Sequence, residues 1–180
     1  MEIRRTKLDD REAMNQFFRT VITDTFEKNG ISELVYDMEE EIETKKAYLE
    51  ADLTSDGADR HFLIAVEKST IIGTIEYGPS SNLINELTNG TLNQLVEVGT
   101  VFVHPDYQGK GIGNSLLEAI MKHLKNIGLT EFWLDSGYGS AQQIWKRKFG
   151  LPDYWQKDYW GEGHDHMVWR ITFKEWFDAR

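Results

Sequence analysis

Apolar residues recur along this chain in two rhythms. From Leu8 to Phe26, Ala13, Met14, Phe17, Phe18, Val21 and Ile22 fall on one side of a helical wheel, so the spacing predicts an amphipathic helix. Asp9 and Glu12 stand at capping-box spacing at its start. A second helix is predicted from near Ser32, with Leu34, Val35, Met38, Ile42 and Leu49 inward, followed by "ADLTSDGAD" as a loop. Alternating and continuous apolar runs mark strands: "MEIRRT", then "HFLIAVE" and "IIGTIEYG" joined by a short turn at Lys68–Thr70, then "LVEVGTVFV" as a buried central strand. "PSSNLINELTNGTLNQ" reads as loop with a helical turn. Ile112, Leu116, Leu117, Ile120, Met121, Leu124 and Ile127 then form one stripe, closed by Gly128. "EFWLDS" is a strand, "SAQQIWKRKFG" a short helix, and "DYWQKDYW" and "HMVWRITF" are late strands joined by "GEGHD". The resulting order, β-α-α-β-β-β-α-β-α-β-β, is an α/β fold: a mixed sheet with helices on its faces.

Composition narrows the classes. A chain of 180 residues without repeats or a linker is expected to be one domain, 1–180. No apolar run has membrane-spanning length, so no membrane partner is expected. The first residues lack the apolar core of a secretory leader, and cysteine is absent; together these favour the cytoplasm. A net charge of −10 argues against nucleic acid as a partner. The charge is concentrated: from Asp24 to Asp59 there are twelve acids against three bases. Such a segment reads either as a solvated helix face or as a surface that attracts a cation.

The chemistry concentrates where the central strand meets the next helix. "VFVHPDYQGKGIGNS" places Gly109, Gly111 and Gly113 at a helix mouth, where unpaired N–H groups and a partial positive charge attract phosphate. Glycine lets the backbone approach a diphosphate, and Lys110 adds a positive charge. A P-loop needs Gly-x-x-x-x-Gly-Lys-Ser/Thr, which the chain lacks, and the spacing is not that of a Rossmann turn. The string Gln108-Gly109-Lys110-Gly111-Ile112-Gly113 fits Gln/Arg-x-x-Gly-x-Gly/Ala after an apolar strand and "HP". In this it resembles the acetyl-CoA signature of the GNAT superfamily of N-acetyltransferases.

The resemblance implies a mainly antiparallel central sheet flanked by helices, the acyl-CoA N-acyltransferase fold, with acetyl-CoA as cosubstrate, no metal, and direct transfer to an amine. It implies that the backbone of Val101, Phe102 and Val103 pairs with the pantetheine arm. The pyrophosphate would lie over the amides of Gln108, Gly109, Lys110, Gly111, Ile112 and Gly113, with Asn114 and Ser115 adding polar contacts. Glu97, on the central strand, takes the position of the family's general base. On a regular strand it shares a face with Gly99, Val101 and Val103. The family's second motif, Asn-x-x-Ala-x-x-x-Tyr, is broken here: aligned on Ala141, Tyr138 stands at the Asn and Trp145 at the Tyr. Tyr138 and Tyr154 are the nearest substitutes for the missing acid, and Trp145 is expected to line the coenzyme channel or pack in the core.

In this family the segment between the first strand and the hairpin walls the acceptor site. Here that segment is the acidic one, and a small-molecule or peptide amine, cationic by preference, is the expected acceptor. "HDH" at His164–His166 supplies too few ligands for a metal and reads as a turn. The aromatic late strands fit a core or a homodimer interface. Two other functions remain open: a non-catalytic acyl-CoA-binding scaffold, and a nucleotide-binding module using the same helix mouth.

Overall fold

The computed structural model describes residues 1–173; positions 174–180 of the expected single domain lie outside them. Among the described residues, seven strands and five α-helices follow in the order β1 (Glu2–Arg5), α1 (Arg11–Lys28), α2 (Val35–Ser55), β2 (His61–Glu67), β3 (Thr70–Gly78), α3 (Asn82–Leu87), β4 (Glu97–Val103), α4 (Ile112–Asn126), β5 (Glu131–Ser136), α5 (Gly139–Phe149), β6 (Tyr154–Gln156) and β7 (His166–Thr172). The sheet order is β1-β2-β3-β4-β5-β7-β6. β1–β2, β2–β3, β5–β7 and β6–β7 are antiparallel, while β4 and β5 are parallel and pair at Glu97 opposite Trp133. This is the mixed α/β sheet that the apolar rhythm predicts, mostly antiparallel as the resemblance implies.

Two compact units make up the described chain: Met1–Gly78 with Thr100–His123, and Pro79–Gly99 with the residues from Leu124 onward. In the first, α1 buries Met14, Phe17, Phe18, Val21, Ile22 and Phe26, while Ile42 and Leu49 anchor α2. Lys68 and Ser69, both at positive φ (48° and 66°), close the β2–β3 hairpin. That is the conformation of a tight turn matching strand twist, made here without glycine. In the second unit Ile84, Leu92, Trp133 and Val168 form a core against which Leu87, Leu95 and Tyr154 pack.

Several boundaries differ from the sequence expectation, each for a local reason. Asp9 does not cap the first helix: a short 3-10 turn, Leu8–Asp10, precedes α1, and Asp10, the N-cap residue of α1, makes no side-chain bond to the helix, its carboxylate instead accepting the Lys7 amide (2.8 Å) and both Arg4 guanidinium nitrogens (2.8 and 2.9 Å). α2 starts at Val35, and Leu34 and Val35 are exposed rather than inward. It continues through most of "ADLTSDGAD" to Ser55, because Asp52 is fully buried and accepts from Arg5, Thr6 and the Phe62 amide. Asp56, in the left-handed region, then ends it. Ile127 lies on the exposed side of its stripe. "DYWQKDYW" is strand only over Tyr154–Gln156, since Asp165 accepts from the Asp158 amide and the Trp155 indole and turns the chain.

Candidate functional site

The loop from β4 to α4 lies wholly in the first unit. Gly109 (φ +74°) and Gly111 (φ +82°) occupy the left-handed region, and a Cβ on either would meet no atom within 4 Å. Backbone conformation therefore demands these glycines, and the space beside them is open to a ligand. Gly113 differs: it lies in α4, and a Cβ there would only touch Val103 Cγ2 at 3.7 Å. The amides of Asn114 and Ser115 donate to the Gly111 carbonyl (3.0 and 3.1 Å), and the Gln108 amide donates to Pro105 (3.3 Å). The other expected donors, the amides from Gly109 to Gly113, lie at the mouth of α4.

Side chains brace this loop. Gln108 Nε2 donates to the Val103 carbonyl (3.1 Å), while its Oε1 accepts Lys28 Nζ (2.8 Å), which also pairs with Asp24 (2.7 Å). Lys110 folds back to the Asp106 carbonyl (2.8 Å), with its ammonium 4.8 Å from the Tyr107 ring centre. Val101, Phe102 and Val103 are half-buried, with the Phe102 ring edge-on to Phe18. Neither Lys28 nor Asp24 stands out in sequence, because nothing in the pattern of α1 points toward a loop some 80 positions away.

β4 is not regular. Thr100 has φ +50°, the one β-branched residue among the described non-glycine residues of positive φ. Such a conformation costs about 1–3 kcal/mol and persists only where the surroundings over-determine it. Here Thr74 Oγ1 donates to the Thr100 carbonyl (2.8 Å), and Thr100 Oγ1 donates to Glu76 Oε1 (3.1 Å). Glu76 is completely buried and its Oε2 accepts Arg60 Nη1 (2.9 Å). The Arg60 guanidinium lies 3.4 Å from the Tyr48 ring centre. Burial pushes the Glu76 carboxyl above the ordinary range, opposed by Arg60 and Lys45. The kink corrects the expected alternation, because a left-handed residue between Glu97 and Val101 breaks the period of two. A charge inside "IIGTIEYG" was the available signal for Glu76.

Glu97, Tyr138, Trp145 and Tyr154 belong to the second unit. Glu97 is buried, and its Oε2 accepts the Ser81 amide (2.9 Å). Tyr138 is the N-cap residue of α5, with its amide donating to Ser136 Oγ (3.0 Å). The Tyr154 hydroxyl meets Thr91 Oγ1 at 2.9 Å. Trp145 is buried and stacked on Phe149, with centroids 5.9 Å apart. His166 lies in β7 rather than in a turn: buried, it bonds Asp135 through Nε2 (2.7 Å) and accepts the Trp160 indole N–H at Nδ1 (3.0 Å). Among the described residues no group of three His, Cys, Asp or Glu could hold a metal.

The acidic segment is extensively paired. Glu39 takes Arg19 through two nitrogens (2.6 and 2.9 Å), Glu50 takes Arg11 (2.7 Å), Glu43 takes Lys46 (2.8 Å) and Glu41 takes Lys45 (3.4 Å). Arg5, Arg11 and Arg19 come from outside the segment, so its field is weaker than its own composition implies.

Residues 21–151 match the Acetyltransferase (GNAT) family model. No curated protein matches the chain. Solved structures share the fold at low identity. The PaiA N-acetyltransferase of Thermoplasma acidophilum in complex with coenzyme A aligns with a TM-score of 0.69 at 22% identity, covering 96% of this chain and 98% of that one. A ribosomal-protein-alanine N-acetyltransferase from Brucella melitensis gives 0.68 at 19%, over 96% and 100%. A GNAT family acetyltransferase from Brucella melitensis in complex with acetyl-CoA gives 0.58 at 20%, over 96% and 87%.

Proposed function

Because this chain belongs to the GNAT family of acetyltransferases, a class of acyltransferase enzymes, we propose that it is an acetyl-CoA-dependent N-acetyltransferase acting on an amine of a small molecule or protein. The observation that carries the reading is the loop at the mouth of α4, where two left-handed glycines leave open space beside the backbone. A diphosphate fits that cradle, since a helix N-terminus favours negative charge and glycine permits close approach. Lys110 and Lys28 add cations beside it. The backbone of Val101–Val103 holds the pantetheine arm. The cytoplasm is the proposed setting.

Bound acetyl-CoA supplies an acetyl group already activated as a thioester. The residues of the chain then have three tasks. Glu97, directly or through water, takes the proton from the attacking amine. Backbone N–H groups of β4 hold the carbonyl oxygen as charge builds on it. Tyr138 or Tyr154 returns a proton to the departing sulfur.

Coenzyme A release, measured with a panel of polyamines, aminoglycosides and lysine peptides, tests the activity. Turnover above background is expected with at least one amine, and Gly111→Glu abolishes both turnover and the heat of coenzyme A binding. No heat from wild type at millimolar acetyl-CoA would sink the reading. Glu97→Gln is expected to lower kcat about 10²-fold or more; unchanged turnover removes Glu97 as base. Tyr138→Phe and Tyr154→Phe separate the two acids in the same assay.

A further inference from the structure

We infer that Glu76, held by Arg60, is a positioning residue that locks the left-handed kink at Thr100 and so sets how β4 presents its next amides to the thioester. The inference rests on the reading of β4 given above, but its residues lie outside the cofactor loop and outside the proposed acid and base.

The strain is the starting point. Thr100 is β-branched, sits within a strand, and has φ +50°. Asp56, Lys68, Ser69, Asn89 and Asp158, the other described non-glycine residues at positive φ, lie at a helix end or in turns. Both polar groups of Thr100 beyond its amide are held from β3: its carbonyl by Thr74, its hydroxyl by Glu76. Rotating Thr100 to an ordinary strand conformation would break one or both bonds inside a buried region. Thr74 and Glu76 are completely buried, and no water would replace the lost partners.

Glu76 cannot drift. One carboxylate oxygen serves Thr100 and the other serves Arg60. Arg60 is pinned in turn between the Tyr48 ring and Gly78, where a Cβ would stand 2.8 Å from the guanidinium. The chain of contacts runs from Tyr48 in α2 through Arg60, just before β2, and Glu76 in β3 to one residue of β4. Its terminal effect is on the peptide joining Thr100 to Val101, since a left-handed residue reorients that peptide relative to the one before it. Val101 is where the proposed cofactor-binding stretch of backbone begins. Misplaced amides there weaken stabilisation of the developing charge more than they weaken ground-state binding by the loop.

The test uses the full chain and acetyl-CoA, with the best amine from the panel as acceptor. Thr100→Val keeps the branched shape and removes the hydroxyl; Thr100→Ser keeps the hydroxyl. Thr100→Val is expected to lower kcat about tenfold, with the KM for acetyl-CoA and the Kd for coenzyme A within about twofold of wild type. Thr100→Ser should stay within about twofold of wild-type kcat. Glu76→Gln, which retains an acceptor but leaves Arg60 without its counter-charge, should resemble Thr100→Val. Should Glu76→Gln fail to fold, the Thr100 pair alone decides. Wild-type kcat in Thr100→Val, equal losses in the Val and Ser variants, or a kcat loss matched by an equal loss of coenzyme A affinity would each overturn the assignment and leave the network a purely structural tie. A wild-type chain that binds no coenzyme A at all overturns the function beneath it, and the assignment with it.

Discussion

Gly111 and Gly113 look alike in sequence and are held for different reasons. At φ +82° a side chain on Gly111 costs about 1–2 kcal/mol and turns the neighbouring amides. Gly113 is helical, and its Cβ would make only an ordinary contact. Gly111→Ala is therefore expected to lower both melting temperature and coenzyme A affinity. Gly113→Ala should keep affinity within about twofold and gain about 0.5–1 kcal/mol of stability. Paired melts and calorimetry check this, and matching losses at the two positions would refute the distinction. His61 gives a second test. It stacks on His123 at 4.1 Å, and burial, with Arg5 and His123 adding, pushes its pKa down to about 4. An unfolded histidine titrates near 6.5, so between those values the unfolded chain binds the extra proton. The contribution of neutral His61 is complete above the unfolded value and drains away as pH falls through the folded one. Urea midpoints should fall more steeply from pH 7 to pH 4.5 in wild type than in His61→Gln; equal slopes would refute it.

At the scale of elements, β3 and α4 are spaced by one missing side chain. A Cβ on Gly73 would stand 2.9 Å from Leu116, 3.0 Å from Ile112 and 3.2 Å from the Phe102 carbonyl. Gly73→Ala is expected to displace Leu116 and Ile112, and with them the first turns of α4, at about 1–3 kcal/mol by the usual cost of overpacking. Since that turn carries the cofactor loop, coenzyme A affinity should fall with stability, as calorimetry and denaturant melts would register. A variant with native affinity would show that the helix yields without moving its mouth. Sequence rhythm found both elements, because their apolar residues are dense and periodic. It missed the kink in β4, where a threonine rather than a glycine takes the left-handed conformation and no residue type announces it. It also read the end of α2 as loop, because Asp52 is polar and only its partners Arg5, Thr6 and the Phe62 amide make it a core residue.

At the scale of the molecule, the element order and the coenzyme signature were legible because they rest on local spacing. The electrostatics were not, because pairing partners come from distant parts of the chain: Arg11 meets Glu50, and Arg19 meets Glu39. The acidic segment is thus partly neutralised, and the KM for a cationic acceptor should change by no more than about twofold between low and physiological salt. A rise of tenfold or more would restore the acidic surface as an attractor. No described helix is long and apolar enough to cross a membrane. The brace on the coenzyme loop reaches furthest. With Gln108 tied to Val103 and Lys28, and Lys110 tied to Asp106, the loop already holds one shape before any phosphate arrives. Little conformational search is left for association, so the entropy of binding should report released water rather than an ordered chain.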